Sequence, residues 1–128
     1  MLPLSQLLLG ILLSAIIAPV LADDDEQFVQ FSGAVLQQGR DLWLQNCKGC
    51  HAYGTAGAPI PMRAQHWLPR VKKPLSDLYD HAINGFFGPD DTMMPERGGN
   101  PRLSDAEVRL AVDYMVTLAK FYIDKQAN

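Results

Sequence analysis

The sequence predicts an all-α fold of three to four helices, and three observations carry that prediction. A helix-start signal, Ser104-Asp105-Ala106-Glu107, precedes Leu110, Ala111, Tyr114, Met115 and Leu118 at helical spacing. Two further stretches, 33–47 and 75–84, read as helices. Nowhere does the chain alternate apolar and polar residues convincingly enough to propose a sheet.

Each element has its own justification. In 33–47, Leu36, Gly39, Trp43 and Val35 share one side, and Gly39 and Trp43 lie a turn apart, as a close helix crossing requires. The stretch 75–84 is stopped by Gly85, which suits a helix C-terminus. In the last helix the Ser104 hydroxyl and the Glu107 carboxylate are spaced to cap each other's backbone, with Leu103 and Val108 flanking them as a hydrophobic staple.

The 128 residues divide unevenly. Residues 1–22 contain no charged side chain: 7–17 are almost wholly apolar, Pro19 breaks any helix, and Val20-Leu21-Ala22 offers a cleavage site. That is the layout of a secretory signal peptide. The apolar run is shorter than the roughly 20 residues of a membrane span. No Lys or Arg precedes it, so an uncleaved membrane anchor is the alternative. Residues 23–31 read as an acidic N-terminal tail, solvated and mobile. Residues 32–122 read as the folded domain and 123–128 as a C-terminal tail. A domain this small is marginal on its own apolar surface, and a large buried prosthetic group would ease the difficulty.

The formal charge of −3 hides the distribution. Four of the 14 acidic residues stand at 23–26, leaving 10 acidic against all 11 basic residues in 27–128. Between Leu42 and Ser76 there is no acidic residue, while Lys48, Arg63, Arg70, Lys72 and Lys73 all fall there. A domain this near neutrality excludes a nucleic-acid binder of the basic type.

The two cysteines stand in Cys47-Lys48-Gly49-Cys50-His51. A disulfide there would close a tiny loop and constrain the unfolded chain little. A redox-active Cys-x-x-Cys should follow a strand in a βαβ unit, and no such pattern exists here. A structural zinc site needs about four ligands, with no second cysteine pair to complete it. Covalent haem attachment remains, for which this five-residue signature is specific. Two thiols that add to the two vinyl groups of one porphyrin must lie on one face of one helical turn, and positions three apart do so. The next residue, His51, supplies an imidazole to the iron from that side.

An electron-carrying haem iron usually takes a second ligand, commonly Met. The candidates are Met62, Met93, Met94, Met115, His66 and His81. Met115 fits a helical core, Met62 fits packing beside the ring, and His66 and His81 fit surface or capping positions. Met93 and Met94 stand in a Gly- and Pro-rich loop, 88–99, able to cross an open haem face. Met94 is preferred over Met93 because the following Pro95 stiffens its backbone.

With these motifs in place the chain resembles the class I cytochromes c, and more narrowly the small bacterial c5 and c555 types. The resemblance spans nearly all of 32–120. Its anchors are Gly39-x-x-x-Trp43-x-x-x-Cys47, the haem signature, Gly57-Ala58-Pro59, Trp67-Leu68-Pro69-Arg70, Asn84-Gly85-Phe86, Met94-Pro95-x-Arg97-Gly98-Gly99 and Leu103-Ser104-Asp105. It implies the cytochrome c fold, helices wrapped around one covalently bound haem c and its iron, with His51 and Met94 as metal ligands. It implies that the Pro59 carbonyl accepts the Nδ1 proton of His51, that Gly39 and Trp43 pack against Ala111 and Tyr114, and that Trp67 and Arg70 bind a haem propionate. The function implied is electron transfer rather than enzymatic catalysis. The resemblance further implies a monomer with redox proteins as partners and no small-molecule substrate. The signal-peptide layout places it in the bacterial periplasm, and the basic, acid-free segment 42–76, which supplies much of the haem rim in that family, predicts acidic docking faces on its partners. Two other readings use the same residues: an electron-entry subunit of a dehydrogenase, and a gas-binding haem domain if no Met ligates.

Overall fold

The computed structural model describes residues 24–128. The expected signal peptide lies outside the described residues. Five α-helices are present among them: α1 (Ala34–Asn46), α2 (Lys48–His51), α3 (Ala64–Trp67), α4 (Leu75–Asn84) and α5 (Asp105–Ala127). Short 3-10 turns occupy Asp24–Gln27, Thr55–Gly57 and Glu96–Gly99. The helical expectation holds. It missed one feature, a minimal antiparallel hairpin of β1 (Phe86–Phe87) and β2 (Met93–Met94), with Phe86 opposite Met94. Strands of two residues are too short to show the alternation from which a strand is read.

The first and last helices organise the domain. Helix α5 begins on the expected capping box: Ser104 accepts from the Glu107 backbone N–H, and the Ser104 N–H donates to the Glu107 carboxylate at 2.8 Å. From there Val108, Ala111, Val112, Tyr114, Met115, Leu118 and Ala119 turn one buried stripe toward the core. Gly39 and Trp43 are the buried residues of α1. A β-carbon on Gly39 would fall 2.3 Å from the Leu110 carbonyl oxygen, so only glycine admits this crossing. Trp43 then meets Tyr114 with ring centroids 5.7 Å apart. Val35, expected on this face, is instead exposed.

The segment expected as a solvated acidic tail is strapped down where it is described. Phe28 is 1 % exposed and meets Trp43 edge-on at 5.0 Å. The Arg40 Nε donates to the Phe28 carbonyl, and the Tyr114 and Tyr122 hydroxyls donate to the carbonyls of Val29 and Gln27. Asp25 forms an ion pair with Lys48, inside the haem signature. One buried aromatic side chain outweighs the local tendency of the carboxylates to stay in water, since burying it is worth about 1.5–3 kcal/mol. At the other end, 123–128 is no tail either. Helix α5 runs on to Ala127, and the Gln126 amide donates to the Met62 carbonyl at 3.0 Å.

This packing makes the helix crossing sensitive to a single methyl group. Gly39→Ala gains helix propensity of up to about 1 kcal/mol but forces α1 off the Leu110 carbonyl. A net loss of about 1–3 kcal/mol is expected in chemical denaturation, whereas Gly49→Ala, with open space around it, should be tolerated. A second expectation concerns alkaline pH. Burial pushes the Tyr114 hydroxyl up to about 12, and burial together with its hydrogen bond to Asp113 does the same for Tyr79. The folded state therefore holds these protons more tightly than the unfolded one. Their contribution is complete below pH 10, the ordinary tyrosine value, and is lost as the pH rises from there toward about 12. Thermal midpoints should fall across that window, and less steeply in Tyr114→Phe.

Candidate functional site

Cys47 is the hinge on which the site is built. Its N–H closes α1 on the Trp43 carbonyl at 2.8 Å, and its own carbonyl accepts from the His51 N–H at 3.0 Å, starting α2. One residue thus joins two helices, and the single turn of α2 carries Cys50 and His51 onward. No disulfide links Cys47 and Cys50. Cys50 is exposed, whereas burial, with the charge of Cys50 adding to it, pushes the Cys47 thiol up to about 12.

His51 is buried, and its Nδ1 lies 2.9 Å from the Pro59 carbonyl oxygen. A carbonyl can only accept, so Nδ1 carries the proton and Nε2 keeps its lone pair. Burial holds the imidazole below its ordinary range; the Pro59 hydrogen bond opposes that shift and the Arg70 charge adds to it. The result is a neutral imidazole with one nitrogen fixed as donor and the other available to a metal.

A cleft opens beside this histidine. Of the residues singled out in the sequence, Cys50, His51, Pro59, Trp67, Arg70 and Met94 all border it. Cys47 does not border it directly and packs instead against the core. Trp67 is 2 % exposed and its indole N–H has no hydrogen-bond partner. The Arg70 guanidinium donates to the His66 carbonyl, and burial lowers its proton affinity. The indole N–H and the guanidinium thus belong to two residues that border the same cleft, and the indole donor has no protein acceptor.

The far wall is the hairpin. Met93 and Met94 both line the cleft, but Met94 packs against the core while Met93 is 51 % exposed. Gly85, at φ +83, lies so close to the Met94 carbonyl that a β-carbon there would sit 3.0 Å away. This position ties the end of α4 to the Met-bearing strand. Among the other candidates, Met115 is buried and lines the cleft floor. Met62 packs on the core without bordering the cleft. The Nδ1 of His66 accepts from the Ile60 N–H at 3.1 Å. His81 borders the cleft and stacks on Phe86 at 3.9 Å. Sequence reasoning misses that stack, because a histidine and an aromatic five residues apart across a helix-ending glycine give no period to read.

Residues 34–115 match the family described as "Cytochrome C oxidase, cbb3-type, subunit III". The chain belongs to the class I cytochromes c. It is 38 % identical to cytochrome c-555 of Prosthecochloris aestuarii over 84 residues, covering 63 % of this chain and 85 % of the relative. Cytochrome c-555 of Chlorobaculum thiosulfatiphilum is also 38 % identical, over 64 % of this chain and 94 % of the relative. A similar solved chain comes from the crystal structure of an electron transfer complex of nitrite reductase with cytochrome c. It superposes with a TM-score of 0.56 at 34 % identity, covering 64 % of this chain and 94 % of that one.

Membership in this cytochrome family brings one covalently attached haem c and its iron. The residues present fit the group. Two unbridged thiols sit a helical turn apart, a neutral imidazole is oriented by a carbonyl, thioethers border the same cleft, and the indole N–H is unpartnered. Among the described residues no helix is long and apolar enough to cross a membrane.

Proposed function

We propose that this cytochrome is a mobile one-electron carrier, exported to the bacterial periplasm, that passes electrons between redox proteins and carries out no chemistry on a substrate. The observation that carries this reading is that an oriented, neutral His51 and the methionine-bearing hairpin border one and the same cleft. The similar solved chain belongs to an electron transfer complex, and a carrier role is in keeping with both c-555 relatives.

In this proposal Cys47 and Cys50 would hold the haem through thioether bonds, and His51 Nε2 and the Met94 sulfur would be its iron ligands. When bound, the haem would supply a one-electron ferric–ferrous couple. The remaining steps belong to the chain. The Pro59 carbonyl fixes the tautomer and the ring plane of His51. The pairing of β2 with Phe86 and the close approach of Gly85 to the Met94 carbonyl would hold the Met94 backbone in place for that role. Rigid ligands keep the geometry similar in both states, which lowers the cost of each transfer. Trp67 and Arg70 bind a propionate through the indole N–H and the guanidinium. The basic segment 42–76 meets acidic faces on partner proteins, with long-range attraction speeding encounter.

The proposal is tested by potentiometric titration of the purified protein. A single reversible wave with one electron per chain is expected; a two-electron wave, or turnover of added peroxide or nitrite at enzyme rates, contradicts it. Met94→Ala should abolish the weak near-infrared absorbance of thioether-ligated ferric haem and allow carbon monoxide to bind the reduced protein readily. Met93→Ala should leave both properties intact. The opposite pattern would make Met93 the ligand, retention of the absorbance in both variants would move the ligand to another methionine such as Met115, and its absence from the unaltered protein would remove methionine from the iron.

A further inference from the structure

We infer that the mouth of the cleft is a self-complementary face on which two copies of this chain pair transiently, exchanging one electron. The electron readout rests on the proposed function; the pairing does not.

The inference comes from how charge is divided around the mouth. From Pro74 to Glu96 the chain carries five carboxylates, Asp77, Asp80, Asp90, Asp91 and Glu96, and no Lys or Arg. The stretch just before it has the opposite sign, with Arg63, Arg70, Lys72 and Lys73 and no acid. Both stretches reach the same cleft. Arg70 and Lys73 border it, and so do Phe86, Pro89 and Met93 of the hairpin. A second groove shares the hairpin and is bordered by Asp80, Phe87 and Glu96. Around the mouth, therefore, a basic segment, an apolar hairpin and an acidic segment meet.

Phe87, which does not border the cleft, is 84 % exposed, with Phe86 and Met93 of the hairpin beside it. Clustered exposed apolar side chains with a charged rim mark an interaction surface. The rim selects the partner. A face that is basic on one side and acidic on the other becomes complementary to itself under a two-fold rotation through its centre, which sets each basic segment against the other copy's acidic segment. Three apolar side chains fall well short of the roughly 1,200 Å² buried in a stable complex, so the pair forms and parts rapidly. One reduced copy gives a single electron to one oxidised copy, and no bond is made or broken.

Two measurements test this on the intact haem protein. In a mixture of reduced and oxidised protein, NMR line broadening gives the self-exchange rate. Pairing of opposite charges predicts at least about a tenfold fall as salt rises from about 10 mM to about 1 M, where the Debye length shrinks from about 30 Å to about 3 Å. A rate that is flat or rises with salt overturns the proposal. Reversing one lobe, by Lys72→Glu with Lys73→Glu or by Asp90→Lys with Asp91→Lys, should slow exchange; reversing both lobes together should restore it, and failure to restore overturns it. Asp90 and Asp91 have left-handed backbones, so Asp90→Asn with Asp91→Asn, which suits that backbone, provides a milder arm that should also slow exchange. In the fully oxidised protein, amide shifts at 72–73 and 86–91 should depend on protein concentration at low salt only. Such shifts without electron exchange would support the pairing and contradict the carrier function. Concentration-independent shifts would overturn the pairing and leave the carrier function standing.

Discussion

The hydrogen bond between the His51 Nδ1 and the Pro59 carbonyl is the interaction on which the site depends. It fixes three things at once: which nitrogen is protonated, which way the ring faces, and where the loop after α2 must run. A buried imidazole without that partner would be free to flip its tautomer and present a proton to the cleft. With it, the free lone pair points where a metal can use it. The loop that delivers Pro59 needs Gly57 at φ +80 and close to Thr92, so the same bond draws the haem-signature turn toward the hairpin loop opposite.

The rest of the fold holds that geometry still. Helix α1 ends on Cys47, and the Gly39 contact with the Leu110 carbonyl sets α1 against α5 at a distance that no other side chain permits. The N-terminal strap adds a second restraint on the same turn, because the Asp25–Lys48 ion pair and the Lys48 ammonium 5.3 Å from the Phe28 ring centroid both act inside the signature. An ion pair that solvent still reaches is worth little alone. Here the buried Phe28 supplies the energy, and the ion pair fixes its position. On the far wall, α4 hands its C-terminus to the Met-bearing strand through Gly85 and the His81–Phe86 stack.

Much of this was legible in the sequence wherever the chemistry is local. The capping box before α5, Gly85 as the stop of α4, Gly39 and Trp43 as a crossing pair, and the haem signature all involve residues within a few positions of each other. The cleft was legible for the same reason, since Pro59, Trp67, Arg70 and Met94 each sit in a short motif of the family. What the sequence did not show depends on distant partners. The acidic run at 23–26 reads as solvated because Arg40, Lys48 and Tyr114, which hold its neighbours, lie far along the chain. The C-terminal residues read as a tail because the acceptor of Gln126, the Met62 carbonyl, stands 64 positions away. The two-residue strands gave no periodicity, and the segregation of charge across the cleft emerged only when 63–73 and 77–96 were seen to border one opening.

The most direct test of the central claim is the intact mass of the native protein after thiol alkylation. The account predicts the polypeptide mass plus one haem, retained under denaturing conditions, with neither Cys47 nor Cys50 alkylated. A colourless polypeptide with two alkylated thiols and no added mass would contradict it.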